Sequence, residues 1–317
     1  MEPPDMSGQS AHQAAEEVSS PMRATSPMTQ MGAPLLRQAE EGISLRDGDA
    51  SGSPPPGAAM AISSYVYALG RVEPRFPRLA VEKELAQVIG RAETTGLTDR
   101  QTLHAVLSQR QNRYLVRQLC YVLTIEGLET YLLHPRDPAD FDLLVEALRP
   151  APRPTDVDVV IGMRGPIAPP ELCNGLMVPI VIVDQIYSFD IDAFIRSIPR
   201  PEQIPAEQFE ATAEELFMRI MQLADNAGAT DDHRALNYLV VRYPAIYATA
   251  AEAFGRNSSL TAVEVRPSRL SGVRRIVDVI FSYTNRQTDV VEKFFVRVDV
   301  TEEFPFLVTR QQPYYDH

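Results

Sequence analysis

The spacing of apolar residues alternates along the chain between every second position and every third or fourth, which predicts a succession of strands and helices. An apolar and aromatic run at residues 64–69 predicts a first strand, which Pro74 and Pro77 end. In residues 79–89 the apolar positions recur at helical spacing. A second helix is expected after Thr98, because threonine is a favourable N-cap residue.

The middle of the chain predicts a hairpin, a short helix and two further strands. Segments with strand-like composition lie at residues 119–125, 128–133, 157–163 and 178–186. Glu126-Gly127 separates the first two, and this glycine is suited to the positive φ of a tight hairpin turn. Asp137 followed by Pro138 is typical of a helix start. The last of the four segments is mostly apolar and is expected to be buried on both faces.

The second half of the chain predicts two long helices and three C-terminal strands. Residues 206–224 carry apolar side chains at spacings of three and four, which favours an amphipathic helix. Another helix begins near Thr230 and must kink or restart at Pro244. Residues 277–283 and 294–300 place apolar side chains at every second position, which is typical of a hairpin.

This order of elements favours an α+β fold with a mixed or antiparallel sheet, hairpins and packed helices. Strands and helices alternate without the regular rhythm of a parallel α/β protein, and hairpins occur in both halves. Each half runs from helices to a hairpin, which raises the hypothesis of two similar halves.

Composition divides the chain into an arm and a domain. Residues 1–62 are rich in Pro, Ser, Gly and Met and contain no aromatic side chain, so they are predicted to be a disordered arm. Within the arm, residues 34–41 are amphipathic and are a candidate for folding on a partner. Residues 63–317 are predicted to form the α+β domain, with a candidate internal boundary at the proline-rich residues 150–155.

Charge and cysteine content restrict the function classes. A formal net charge of −12 and a pI near 5.0 argue against binding to nucleic acid or to an anionic membrane. No apolar run is long enough for a membrane-spanning helix. With only Cys120 and Cys173 present, and no apolar signal segment at the N-terminus, a cytoplasmic location is expected.

Catalytic signatures are scarce in this sequence. It contains no phosphate-binding Gly-Lys-Ser/Thr loop, no His-Glu-x-x-His pair and no Gly-x-Ser-x-Gly elbow. His104 and His134 lack an orienting partner nearby in the sequence, and His134 beside Pro135 is typical of a turn. No cofactor is expected, and whether the protein is an enzyme stays open.

The two cysteines are weak candidates for a zinc site or a redox pair, provided that the fold brings them together. Cys120 lies in an apolar strand, and Cys173 lies beside Asn174 in a loop-like stretch. The simpler expectation is that each cysteine is an isolated, small buried side chain.

Five further residues complete the candidate binding residues, which also include Cys173 and Asn174. Asp184 and Asp190 follow an apolar strand, where sheet proteins often place ligand-binding groups, although Asp190 is also suited to cap a short helix. Arg164 lies in a Gly- and Pro-rich stretch that is expected to be a stiff turn. Tyr238 and Arg242 stand one helical turn apart, either as a binding surface or as a stacked pair that excludes solvent.

Several longer strings are distinctive. They are residues 65–76 (YVYALGRVEPRF), 125–131 (IEGLETY), 164–170 (RGPIAPP), 235–239 (ALNYL) and 295–301 (FVRVDVT). Together they resemble the C-terminal domain of PatG-type cyanobactin maturation proteins. In that family the domain has no assigned function and follows a subtilisin-like protease. The resemblance implies a setting in the biosynthesis of ribosomally made, modified peptides.

The protease signatures of that family are absent from this sequence. Neither His-Gly-Thr nor Gly-Thr-Ser-Met-Ala occurs, so the resemblance implies no serine-protease activity. The leading hypothesis is a recognition or assembly protein that binds a precursor peptide or a maturation enzyme through a sheet edge and the Arg164 loop. The alternative is a peptide-modifying enzyme with a site built from Arg164, Cys173, Asp184 and Asp190. A homodimer is a further candidate state.

Overall fold

The computed structural model describes residues 64–92, 96–150, 153, 156–222 and 225–315. The strands are β1 (Tyr65–Arg75), β2 (Cys120–Ile125), β3 (Leu128–Pro135), β4 (Val157–Ile167), β5 (Pro179–Phe189), β6 (Ser258–Pro267), β7 (Ile276–Asn285), β8 (Val291–Asp299) and β9 (Phe306–Pro313). The α-helices are α1 (Leu79–Ile89), α2 (Asp99–Leu107), α3 (Arg113–Val116), α4 (Phe141–Ala147), α5 (Ile191–Ser197), α6 (Ala206–Met221), α7 (Asp231–Arg242) and α8 (Ala245–Gly255).

Five strands form a closed barrel in the order β1-β2-β3-β5-β4. All neighbouring pairs are antiparallel except β3 and β5, which run parallel over residues 132–135 and 180–183. The inner face carries buried apolar side chains such as Leu123, Leu133 and Val181, and α1 to α4 add their own apolar faces to this core. At Gly162 a side chain would not fit, since a Cβ there would lie 2.1 Å from the carbonyl oxygen of Ile182.

The remaining strands form a separate antiparallel sheet in the order β6-β7-β8-β9. Helices α5 to α8 lie between one face of this sheet and the outer face of β1, β4 and β5. Their apolar side chains, among them Phe217, Leu239 and Tyr247, join the two sheets in one continuous core. The arrangement confirms the predicted α+β class with mixed and antiparallel sheets.

Local signals in the sequence placed several elements correctly. Helix α1 has the predicted bounds, and Thr98 forms a capping box with Gln101 at the start of α2. The turn between β2 and β3 has positive φ at both Glu126 (49°) and Gly127 (82°), as a tight hairpin turn requires. At Pro244 the helix restarts, which separates α7 from α8.

Other expectations need correction. Strand β1 continues through Pro74, which pairs with Tyr121, so this proline does not end the strand. Four C-terminal strands are present rather than three, because β6 is an edge strand with little alternation in its burial pattern. Strand β5 is buried at every second or third position rather than on both faces. The segment 134–135 belongs to β3 and is not a turn.

The predictions about domain limits are not decided by the fold. The predicted arm at residues 1–62, with its amphipathic segment 34–41, lies outside the described residues. The candidate boundary at 150–155 also lies mostly outside them, and strands from both sides of it close the same barrel. The two sheets differ in strand number and closure, so they do not support the hypothesis of two similar halves. Nowhere in the described part does a helix combine the length and the apolar character needed to cross a bilayer.

Candidate functional site

A groove of about 350 Å³ lies on the outer face of the barrel, over β2, β3 and β5. In register, Leu132 of β3 pairs with Ile180 of β5, and His134 pairs with Ile182. The intervening residues Leu133 and Val181 point into the barrel core. The side chains of the two pairs therefore point outward, in one short row on each strand. Leu172, from the segment between β4 and β5, forms one wall.

A disulfide bond between Cys120 and Cys173 anchors this wall to the barrel, with a Cα–Cα distance of 6.1 Å. Both residues are buried in a small apolar cluster that includes Val122, Ala168 and Leu176. The expectation of two isolated thiols was therefore wrong, because the fold brings the two cysteines together. A sulfur in a disulfide is not a thiolate and cannot act as the zinc ligand considered for these cysteines.

The disulfide also bears on the predicted compartment. Structural disulfides persist in oxidising environments and are rare in a reducing cytosol. Burial of Cys173, which is fully inaccessible, protects the bond from one side, but Cys120 lines the groove. The cytoplasmic location therefore stays a prediction.

The segment after the disulfide makes a tight turn at Asn174 and Gly175, which both have positive φ. The Gly175 N–H donates to the Pro170 carbonyl at 2.8 Å, and the Asn174 carbonyl accepts from Arg75 at 3.4 Å. Asn174 thus shapes the turn that carries the groove wall.

Arg164 lies on β4 rather than in a turn, and it pairs with Val181. Because Val181 points into the barrel, Arg164 also points inward, towards Tyr131. Burial raises the pKa of Tyr131 to about 12, and the charge of Arg164 partly opposes this rise. Among the described residues the Arg164 side chain has no hydrogen bond or ion pair. It is half-buried at the end of the barrel and is not part of the groove.

Asp184 lies two residues beyond Ile182 on β5, beside the groove. Its carboxylate accepts two hydrogen bonds from Arg136, one of them at 2.7 Å. These bonds hold the pKa of Asp184 below its usual value. Glu303, between β8 and β9, lies close to Asp184, and burial together with the charge of Asp184 raises its pKa to about 7. Two carboxyl groups with opposite pKa shifts therefore meet where the barrel contacts the second sheet.

Comparisons with known proteins bear on this arrangement. Residues 203–314 match the family model described as PatG C-terminal. A solved structure, "PatG Domain of Unknown Function", is similar at a TM-score of 0.63 and 20% identity, over 80% of this chain and 99% of that chain. These two findings support a PatG C-terminal-type domain. At this identity the likeness to the solved structure shows a shared fold. None of the curated proteins matches.

The remaining candidate residues have structural contacts away from the groove. Asp190 caps α5 by accepting from the Ala193 N–H at 2.9 Å. Tyr238 packs edge-to-face on Tyr67 at 6.3 Å, and the Arg242 guanidinium lies 5.3 Å from the centre of the Tyr187 ring. Asp190 has the role considered as its alternative, a helix cap, whereas Tyr238 and Arg242 each pack on another ring and not on one another.

Sequence reasoning missed three residues at this site: Arg117, Arg136 and Glu303. The spacing of 132, 134 and 136, matched by 180, 182 and 184, could have indicated Arg136, because alternate residues share a face of a strand. Glu303 could not have been found in this way, since it reaches Asp184 from a distant part of the chain. Within the described part of the chain, no group of three His, Cys, Asp or Glu side chains is arranged to hold a metal ion.

Replacing Glu303 with glutamine is expected to change the pH dependence of stability. The unfolded chain releases this proton near pH 4.5, whereas the folded PatG C-terminal-type domain retains it to about pH 7. The stabilisation from protonated Glu303 is therefore complete below pH 4.5 and is lost as the pH rises to 7. Urea unfolding of wild type and Glu303→Gln between pH 4.5 and 7.5 tests this. The free energy of unfolding should decline with rising pH in the wild type, and this decline should be absent from the variant. The exposed neighbour change Glu302→Gln is the control, and parallel curves for wild type and Glu303→Gln would contradict the prediction.

Proposed function

We propose that the PatG C-terminal-type domain is a recognition module that binds a precursor peptide or a maturation enzyme in the biosynthesis of ribosomally made, modified peptides. The resemblance to PatG-type proteins supports the pathway setting. One observation supports the binding role: a groove with an apolar floor lies on the outer face of the barrel, and a disulfide anchors its wall.

The proposed docking surface consists of the groove and four exposed side chains near it in sequence. They are Met163 (42% exposed), Ile167 (60%), Leu172 (48%) and Met177 (62%). Met163 pairs with Ile182 and therefore lies on the same outer face as the groove floor. Single exposed apolar side chains are ordinary in soluble proteins, whereas several that lie together are typical of interaction sites.

The docking surface is held in one conformation before binding. The Cys120–Cys173 bond joins it to β2, and the Ala168 N–H donates to the Val178 carbonyl at 2.8 Å across the base of the segment. A preformed surface loses less conformational entropy on binding, which favours affinity.

The leading hypothesis also placed binding at a sheet edge. The exposed sheet edges lie apart from the docking surface. The barrel is closed, so the exposed edges of the described sheets belong to β6 and β9. An extended peptide could add to one of these edges by main-chain hydrogen bonds, but this route would not involve the docking surface.

The enzyme alternative receives less support. Its four proposed groups have separate roles: Cys173 is in a disulfide, Asp190 caps a helix, Asp184 is paired with Arg136, and Arg164 points into the barrel. With these four groups engaged elsewhere, the Asp184–Glu303 pair is the candidate for acid–base chemistry in the enzyme alternative. Intact-mass measurement of the precursor peptide, co-expressed with and without this protein, separates the two functions. A mass change that depends on this protein would establish the enzyme.

Leu172→Asp is the direct test of the docking surface. It places a charge in the groove wall, and we expect calorimetric titration with the precursor peptide or its maturation enzymes to show at least tenfold weaker binding, since a buried unpaired charge is costly. Leu270→Asp is the matched control, because Leu270 is similarly exposed (58%) in the loop between β6 and β7. Equal loss in both variants, or absence of binding to the wild type, would refute the proposal.

A further inference from the structure

We infer that the groove takes a short peptide segment in which aliphatic side chains lie next to a carboxylate. This inference rests on the proposed docking function and specifies the chemistry of its ligand. It follows from three features of the groove: its apolar floor, the charge of its lining and its size.

The floor is apolar where a barrel usually presents polar side chains to water. Ile180 and Ile182 on β5 lie beside Leu132 on β3, all on the outer face. The corresponding outer positions on β1, β4 and the end of β5 are covered by α5 to α8, whereas this part is lined at one side by Phe141 at the start of α4. Aliphatic side chains of a ligand would bury this surface, and water would be released.

The charged lining of the groove is basic. Of the side chains that line it, Arg117 and His134 can carry positive charge, and none of the described lining residues is Asp or Glu. This contrasts with a chain that has 42 acidic and 30 Lys or Arg residues. Asp184, the nearby carboxylate on the same face, is already paired with Arg136.

Arg117 is well placed to bind an anion. It follows α3 at the rim of the groove, it is exposed, and within the described residues its side chain has no hydrogen bond or ion pair. A guanidinium can donate two parallel hydrogen bonds to a carboxylate, which adds orientation to charge attraction. A ligand carboxylate beside the apolar floor would satisfy Arg117 without desolvating an existing ion pair.

The size of the groove favours a short segment over a whole helix or a small cofactor. Its volume of about 350 Å³ is at the lower end of the ~300–1,000 Å³ range of ligand pockets. Met163 is exposed and pairs with Ile182 of the lining, so the apolar surface extends beyond the cavity itself. A peptide can place two or three side chains in the cavity and continue along this extension.

Fluorescence anisotropy with synthetic peptides tests the inference. The probes share two adjacent leucines, which are followed by two glutamates, two glutamines or two lysines. We expect the glutamate peptide to bind about tenfold more tightly than the glutamine peptide, because charge-assisted hydrogen bonds are worth about one decade in affinity. The lysine peptide should bind least, and the preference should shrink at high salt.

Arg117→Glu should remove the preference for the glutamate peptide, with affinity falling at least tenfold. Arg269→Glu is the matched control, since it changes net charge equally at another exposed arginine, in the loop between β6 and β7. Leu172→Asp should weaken all three peptides.

Each other outcome overturns the inference in an identifiable way. Equal binding of the three peptides, with the precursor still bound, would leave the docking function intact and reject the charge preference. Failure of both the peptides and the precursor to bind would reject both proposals. Tighter binding of decanoate than of the glutamate peptide would show a lipid site. Concentration-dependent dimerisation that Leu172→Asp abolishes would show that a second copy covers the groove.

Discussion

Replacing Arg234 with methionine is expected to lower the free energy of unfolding by about 4 kcal/mol, because it leaves several buried carbonyl groups without a donor. Arg234 is fully buried on α7. Its guanidinium donates to the carbonyl oxygens of Val300 (2.7 Å), Glu302 and Glu303 (3.2 Å). It thereby fixes the segment between β8 and β9 against the helical layer.

Urea unfolding at pH 7 measures this loss, since burial lowers the pKa of Arg234 only to about 10 and the group stays charged. Arg275→Met is the control: Arg275 also pairs with Asp231 but is exposed, so we expect a loss below about 1 kcal/mol. Equal effects of the two changes would contradict the prediction, since Arg275 is exposed and donates to one carbonyl group of this segment, that of Thr301 at 3.0 Å.

Removing the Cys120–Cys173 bond is expected to lower the free energy of unfolding by about 2–4 kcal/mol. The bond closes a loop of 53 residues in sequence, and a cross-link over such a separation restricts the unfolded chain strongly. The double change of Cys120→Ala and Cys173→Ala, compared with wild type by urea unfolding, measures the loss. Binding to the docking surface should weaken as well, because the groove wall at Leu172 is no longer fixed to β2.

A dithiol reductant provides the control for this second prediction. It should destabilise the wild type to the level of the double variant and should leave the double variant unchanged. The reaction consumes the dithiol, which becomes a cyclic disulfide, and yields the two cysteine thiols. If thiol titration shows complete reduction and the unfolding curve of the wild type does not move, the bond does not contribute to stability.

The candidate site was only partly predictable from the sequence. Asp184 was expected to follow an apolar strand, whereas it lies in the middle of β5, beside the groove. Its partners were not identified, because Arg136 and Glu303 approach from β3 and from the segment after β8. Arg164 was assigned to an exposed turn, but its pairing with Val181 extends β4 and turns the side chain inward.

The sequence by itself determined the local elements, since caps, glycine turns and apolar spacing act over a few residues. Thr98, the Glu126-Gly127 turn and the restart at Pro244 were each predicted from such short-range signals. The α+β class followed from the order of those elements. Its resemblance to PatG-type proteins was also visible in short strings of residues.

Only the tertiary structure decided the closure of the barrel, the pairing of Cys120 with Cys173, and the outer face on which the groove lies. The physical reason is the same in each case. Parallel pairing of β3 with β5, and contact between β2 and the segment before β5, join residues that are far apart in the chain. No short-range pattern records such pairings, because many partners would bury a given apolar strand face equally well.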